Sequence, residues 1–159
     1  HGLKALAAAS TRARIRIPFA TSGSIMSSQS AAPSTVQIDT VTMHADARGA
    51  VFEPIDVAGL ATQRNSHVVI SEPGVVRGNH LHRQGQELTV VVGPAEVRYR
   101  EAGVVHSVQV PAGVAQRFVF PAGVSHAYRN PGPGVMILAS FNTEVHDPAQ
   151  PDVERDVLF

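Results

Sequence analysis

Cysteine and tryptophan are missing from this 159-residue sequence, and lysine occurs once, at Lys4. Without cysteine there is no disulfide scaffold, no thiolate zinc site and no cysteine nucleophile; any metal ion must be held by histidine, aspartate or glutamate. Charge is sparse as well. Charged residues make up 16%, and 13 basic side chains balance 13 acidic ones. That balance supplies no broad positive field, which argues against nucleic acid or an anionic membrane as a partner. No run approaches the roughly 18 apolar residues of a membrane span, so a soluble, cytoplasmic protein is expected. Aromatic residues are only 5%, yet 43% of the chain is hydrophobic, enough for the core of one globular domain and too little chain for two.

Acidic residues are absent before Asp39, where Ala, Ser and Thr are interspersed with Arg12, Arg14 and Arg16. Residues 1–34 therefore read as a disordered or non-native tail, with an organellar transit segment as the alternative. The domain is expected over 35–159.

From Thr35 onward the texture is short β-branched runs separated by turn chemistry such as Glu72-Pro73-Gly74, Gly93-Pro94 and Pro111-Ala112-Gly113. Strands are predicted at 35–42, 50–55, 67–71, 76–82, 87–92, 95–100, 104–110, 117–120 and 135–141, with one short helical turn within 57–63. Strands at such even spacing predict an all-β fold, a sandwich or barrel. Ile70, Val90, Val92, Val97, Phe118, Phe120, Val135 and Ile137 are the expected packing residues.

Two segments carry chemistry. In the first, Gly74-x5-His80-x-His82-x4-Glu87-x5-Gly93, side chains two apart on a strand share a face, which puts His80 and His82 together. The polar turn from Arg83 to Gln86 then returns Glu87 beside them on the neighbouring strand. Two imidazoles and a carboxylate are a suitable ligand set for a divalent ion. In the second, Pro121-x-Gly123-x-x-His126-x-x-x-Asn130, a tight turn leads His126 into a strand from which it can face the same cavity.

The pair of segments, in this order, resembles the two signatures of the cupin superfamily, implying a cupin-type antiparallel jelly-roll barrel with His80, His82, Glu87 and His126 as metal ligands. Glu87 to Gly93 is one residue shorter than the usual spacing. Zinc is the first expectation; iron, manganese and nickel suit the same donors. A narrower resemblance covers Asp46 to Leu158. Asp46-x-Arg48-Gly49-x-x-x-Glu53 and Gly74-Val75-Val76-Arg77-Gly78-Asn79-His80 resemble segments of the nucleotide-sugar cupins, among them the dTDP-4-dehydrorhamnose 3,5-epimerases and the dTDP-sugar 3,4-ketoisomerases. With the ending Asp147-Pro148-Ala149-Gln150-Pro151-Asp152, they are most similar to the C-terminal cupin of the capsular-polysaccharide assembling proteins.

What this resemblance implies is proton abstraction beside the ketone of a nucleotide-linked 4-keto-6-deoxy sugar, giving C3 epimerisation or keto-isomerisation. His80 matches the catalytic histidine of the family and is the expected base; if it ligates metal, the proton passes to water, to Glu87 or to another residue. Arg48, Arg77, Arg98 and Arg100 are candidates for the diphosphate, because a guanidinium offers a bidentate fork to phosphate oxygens. The alternative for Arg98 and Arg100 is salt bridging to Glu96 and Glu101. Glu53 and Tyr128 complete the candidate substrate contacts. The lysine and tyrosine of the rhamnose-type epimerases have no counterpart, since Lys4 lies in the tail and 137–142 contains no tyrosine. Asn79 and Asn130 read as turn-stabilising, and His44, His67, His106 and His146 as structural or surface residues.

A homodimer is expected, and a separate short-chain reductase as a possible partner, because the residues before Asp46 are too few for the Rossmann domain of the capsular-type proteins. A metal-dependent dioxygenase and a non-catalytic sugar-binding or association module are the alternative functions.

Overall fold

A computed structural model describes residues 34–159. The expected tail, Lys4 included, lies outside the described residues except for Ser34. The elements in chain order are β1 (Gln37–Thr40), β2 (His44–Asp46), β3 (Gly49–Val51), α1 (Val57–Leu60), β4 (Asn65–Ser71), β5 (Val76–His82), β6 (Glu87–Val92), β7 (Ala95–Glu101), β8 (Val104–Val110), β9 (Ala115–Phe120), β10 (Ser125–Arg129), β11 (Met136–Asn142) and β12 (Val153–Arg155).

Two five-stranded sheets face each other, one ordered β1-β9-β6-β11-β4 and the other β12-β5-β10-β7-β8, and β2 and β3 form a separate hairpin. Every pairing is antiparallel, and the architecture is the expected cupin-type jelly roll. The core between the sheets is built from alternate residues: Val91, Val97, Phe118, Phe120, Met136 and Leu138 are all buried. Such alternation is the period of a sheet with one face covered.

Alternation also decides which expected packing residues fail. In β4 the inward positions are Asn65, His67, Val69 and Ser71, so Ile70 points outward and is 63% exposed, while Val135, just before β11, is 43% exposed. Val90, Val97, Phe118 and Phe120 are buried as expected; Val92 and Ile137 are half-buried. The strand predicted over 50–55 shrinks to β3, the strand expected to carry His126 is β10, and two strands were not predicted: β2 and β12. The last is the three-residue stretch Val153-Glu154-Arg155, which pairs with β5 from more than 70 residues further along the chain.

The return of Glu87 also differs from expectation. β5 and β6 belong to opposite sheets, so the Arg83–Gln86 turn carries the chain across the barrel rather than to an adjacent strand. Its backbone is held by Asp152, whose carboxylate accepts the N–H groups of Gln84 (2.9 Å) and Gly85 (2.8 Å).

Candidate functional site

β5 delivers His80 and His82, β10 delivers His126, and β6 delivers Glu87 from the facing sheet. In the β5–β10 ladder His126 pairs with His80, and the register shifts immediately afterwards. The approach of the two strands is so close that a Cβ on Gly78 would stand 2.8 Å from the His126 carbonyl oxygen, and Gly78 has φ +79°; only glycine meets both demands. Asn79 follows with φ 59°, a conformation asparagine tolerates better than most residues.

One donor atom from each of His80, His82, Glu87 and His126 lies within 4.8 Å of all the others. His126 is fully buried, and its Nδ1 lies 3.1 Å from the Val124 carbonyl. A carbonyl only accepts, so Nδ1 carries the proton and Nε2 presents a lone pair to the cluster. Nε2 of His126 and Nε2 of His80 are both buried without a hydrogen-bond partner among the described residues. Buried polar atoms are normally satisfied, and two orphaned imidazole nitrogens facing a carboxylate fit a cation. Three nitrogens and one carboxylate oxygen suit zinc or another first-row divalent ion.

Glu87 is the anion of the cluster. Its carboxylate accepts from His82 Nε2 at 2.7 Å, the Thr89 hydroxyl at 2.6 Å and the Tyr128 hydroxyl at 3.2 Å. Burial pushes its pKa up, but the neighbouring His126, His82 and Thr89 outweigh that and hold it well below the ordinary value. His82 is raised: burial works against the charged form and is overcome by Glu87 and Asp152. His80 is lowered to about 4 by burial and by the charges of His126 and His82, with Glu87 opposing. That direction suits the ligand role expected of His80 from the sequence.

Three of the cluster residues, His80, His82 and Glu87, line a cavity of about 460 Å³, a size that accommodates a small organic ligand. Of the other sequence candidates, Arg77 and Tyr128 line it. The Arg77 Nε donates to Ser71 Oγ at 3.2 Å. Burial, then the Glu87 charge, pushes the Tyr128 phenol well above 10.

Arg98 and Arg100, expected as candidates for the diphosphate, do not line this cavity. Arg98 donates to Glu96 at 2.8 Å and to the Leu158 carbonyl at 2.9 Å, and lies 4.2 Å above the Phe159 ring. Arg100 pairs with Asp156 at 3.0 Å rather than with Glu101. Arg48 sits between β2 and β3, 90% exposed and paired with Asp46. Glu53 lines a different groove, beside Phe52 and Arg117. Neither residue is brought to the histidines.

Sequence reasoning overlooked the opposite wall. His67 and His146, expected to be structural or surface residues, both line the cavity, together with Asn65, Ser140 and Asn142. The available signal was phase: polar residues occupy the inward positions of β4 and of the end of β11. Asn130 is turn-stabilising as expected, accepting from Gly132 N and donating to the Ser71 and Gly134 carbonyls.

The profile of the polysaccharide biosynthesis C-terminal domain family matches residues 44–154. Among solved structures, the capsular polysaccharide assembling protein CapF from Staphylococcus aureus is similar at 27% identity and TM-score 0.56, over 74% of this chain and 33% of its own. The chain thus spans about a third of that protein's length. A dTDP sugar isomerase from Desulfovibrio desulfuricans matches with TM-score 0.67 and 13% identity, over 78% of this chain and 85% of its own. NovW of Streptomyces spheroides, a 4-keto-6-deoxy sugar epimerase, matches with TM-score 0.57 and 20% identity, over 72% of this chain and 66% of its own. At these identities the last two establish the fold alone. A search of curated proteins found no match. Among the described residues no helix is long and apolar enough to cross a membrane.

Proposed function

This chain belongs to the polysaccharide biosynthesis C-terminal domain family, and from that premise we propose that it binds a nucleotide-linked 4-keto-6-deoxy sugar and moves the proton on carbon 3, epimerising or isomerising the sugar. The observation that carries the proposal is the donor cluster beside an open cavity, with two buried nitrogens that have no hydrogen-bond partner among the described residues. The names of the isomerase and epimerase that share the fold support the substrate class.

His80, His82, Glu87 and His126 would hold the ion, zinc first, with iron, manganese or nickel as the other fits. A divalent cation at this place supplies Lewis acidity toward a ketone oxygen. The protein's own groups do the rest. Tyr128 and Thr89 fix the Glu87 carboxylate, and the Val124 carbonyl fixes the His126 tautomer. Arg77 is the cationic side chain on the cavity wall and is positioned to hold a phosphate or sugar oxygen. The ketone acidifies the adjacent C3–H, so a positioned base suffices to form the enolate. Val68 and Ile70, exposed on the outer face of edge strand β4, support the expected homodimer.

The test is incubation with UDP- and dTDP-linked 4-keto-6-deoxyglucose in heavy water, followed by NMR. Deuterium at carbon 3 is the expected result. If neither sugar nucleotide exchanges and the iron-loaded protein consumes oxygen with an organic substrate, a dioxygenase replaces this reading.

A further inference from the structure

Seven titratable side chains line the cavity, and most are committed. His80, His82 and Glu87 belong to the donor cluster. The Tyr128 hydroxyl is donated to Glu87, and a guanidinium such as that of Arg77 does not give up its proton. His67 and His146 are left. His146 lies in the segment between β11 and β12, whereas His67 is held within the β4–β11 ladder, paired with Ser140.

That pairing sets His67 across the strand register from Ser140, the first member of a hydroxyl chain. Thr89 Oγ1 donates its one proton to Glu87 Oε1 at 2.6 Å, so in the 2.7 Å contact between Thr89 and Ser140 it is Ser140 that donates. The chain Ser140–Thr89–Glu87 is polarised toward the carboxylate. Ser140 is left with free acceptor capacity, at the strand position directly across from His67, where paired side chains stand about 4.5–5.5 Å apart at Cβ.

His67 also faces the imidazoles of the donor cluster across the barrel. It belongs to the β4 sheet, as Glu87 does, and His80, His82 and His126 to the other, so a ligand in the cavity has the cluster imidazoles on one side and His67 on the other. His67 is exposed while lining the cavity, which gives its imidazole access to water, as a group that exchanges protons with solvent requires. The buried nitrogens of His80 and His126 have no such access.

We infer that His67 is the acid–base residue of this site, accepting the carbon 3 proton of the bound 4-ketosugar and giving it back; the inference rests on the function proposed above. The imidazole lone pair takes the proton, the C3–H electron pair becomes the C3–C4 π bond, and the carbonyl π pair moves to O4 as the enolate oxygen. Reprotonation at carbon 3 by the imidazolium restores the ketone and the neutral imidazole; where water delivers the proton from the opposite face, the hydroxide left behind takes the imidazolium proton through solvent, and the imidazole is again neutral.

The experiment compares wild type, His67→Gln, His67→Ala and His146→Gln, each checked for metal content and for binding of dTDP-4-keto-6-deoxyglucose by calorimetry. Carbon 3 deuteration is timed by NMR. Removing one positioned base typically costs ~10²- to 10⁴-fold, and that loss is expected in both His67 variants with binding retained and with partial rescue of His67→Ala by added imidazole. Wild-type exchange rates in His67→Gln, a loss confined to His146→Gln, or a loss explained by failed binding would each overturn the role of His67 and leave the proposed function standing. Absence of exchange in wild type would overturn that function, and this inference with it.

Discussion

The side-chain oxygen of Asn79 accepts the backbone N–H of Leu158 at 2.8 Å. Asn79 immediately precedes His80, so the end of the chain is fastened to the strand that carries two of the four cluster donors. The fastening is extensive. β12 pairs with β5 at His80, Leu81 and His82, Asp156 N–H donates to the Asn79 carbonyl at 3.0 Å, and the Phe159 ring lies beneath Arg98 and Arg129. The C-terminal segment therefore serves as the outer neighbour of β5, satisfying a sheet edge and setting the position of the histidines.

Removing that contact is expected to weaken the fold and the site together. Asn79→Gly keeps the left-handed conformation and loses only the side-chain acceptor, at about 1 kcal/mol for such a hydrogen bond. Asn79→Ala loses the acceptor and adds backbone strain of about 1 kcal/mol or more. Denaturant unfolding should rank wild type above Asn79→Gly and Asn79→Ala last, and zinc affinity should fall in the same order.

The pairing of Arg100 with Asp156 gives the C-terminal segment a pH dependence. The hydrogen bonds from Arg100 and Ser125 lower the Asp156 pKa from its ordinary 3.8. A carboxyl whose pKa is depressed in the folded state stabilises fully above its unfolded value, and the contribution fades as pH falls through the folded value. Both groups are about a third exposed, so solvent screening keeps the contribution below about 1 kcal/mol. Asp156→Asn should lower stability at pH 7 and narrow its gap from wild type as pH falls below 3.8, read by denaturant midpoints.

Those same contacts explain what the sequence could and could not disclose. His80 and His82 were legible because strand periodicity is local, and His126 because a Pro-Gly turn announces the strand that carries it. Glu87 was legible as a site residue, but the sheet it occupies was not, since a four-residue turn can join adjacent strands or bridge two sheets. The Arg98–Glu96 pair was legible as the salt-bridge alternative, whereas Leu158, Phe159 and Asp156, the other partners of Arg98 and Arg100, lie in a segment with no strong strand pattern of its own. His67 looked isolated because its significance comes from the register with Ser140, a pairing that no local spacing encodes.

Gly78→Ala should be among the most damaging single-methyl changes in the protein. The added Cβ would meet the His126 carbonyl oxygen at 2.8 Å and the Ala127 Cα at 3.0 Å, on a backbone with φ +79°. A left-handed conformation costs a non-glycine residue about 1 kcal/mol or more, and separation of β5 from β10 would add to it. A fall of about 2–4 kcal/mol in unfolding free energy is expected, with loss of zinc binding because His80 and His126 move apart.

Metal should stabilise the purified protein through the donor cluster. Binding to the folded state alone adds about 2.7 kcal/mol when free ion is at 100 times its dissociation constant, so zinc should raise the melting midpoint and a chelator should lower it. His82→Gln is the informative variant. His126 is fully buried and stacked on Phe120 at 4.4 Å, so replacing it would confuse lost packing with lost ligation, whereas His82 retains 14% side-chain exposure. In His82→Gln, Glu87 keeps the Thr89 and Tyr128 hydroxyls as donors. Its metal-free midpoint should stay near that of wild type while the zinc-dependent rise disappears. A midpoint indifferent to zinc and chelator, with no metal found by elemental analysis, would reduce the cluster to a polar group beside the cavity and leave the carbon 3 chemistry to His67 and the cavity wall.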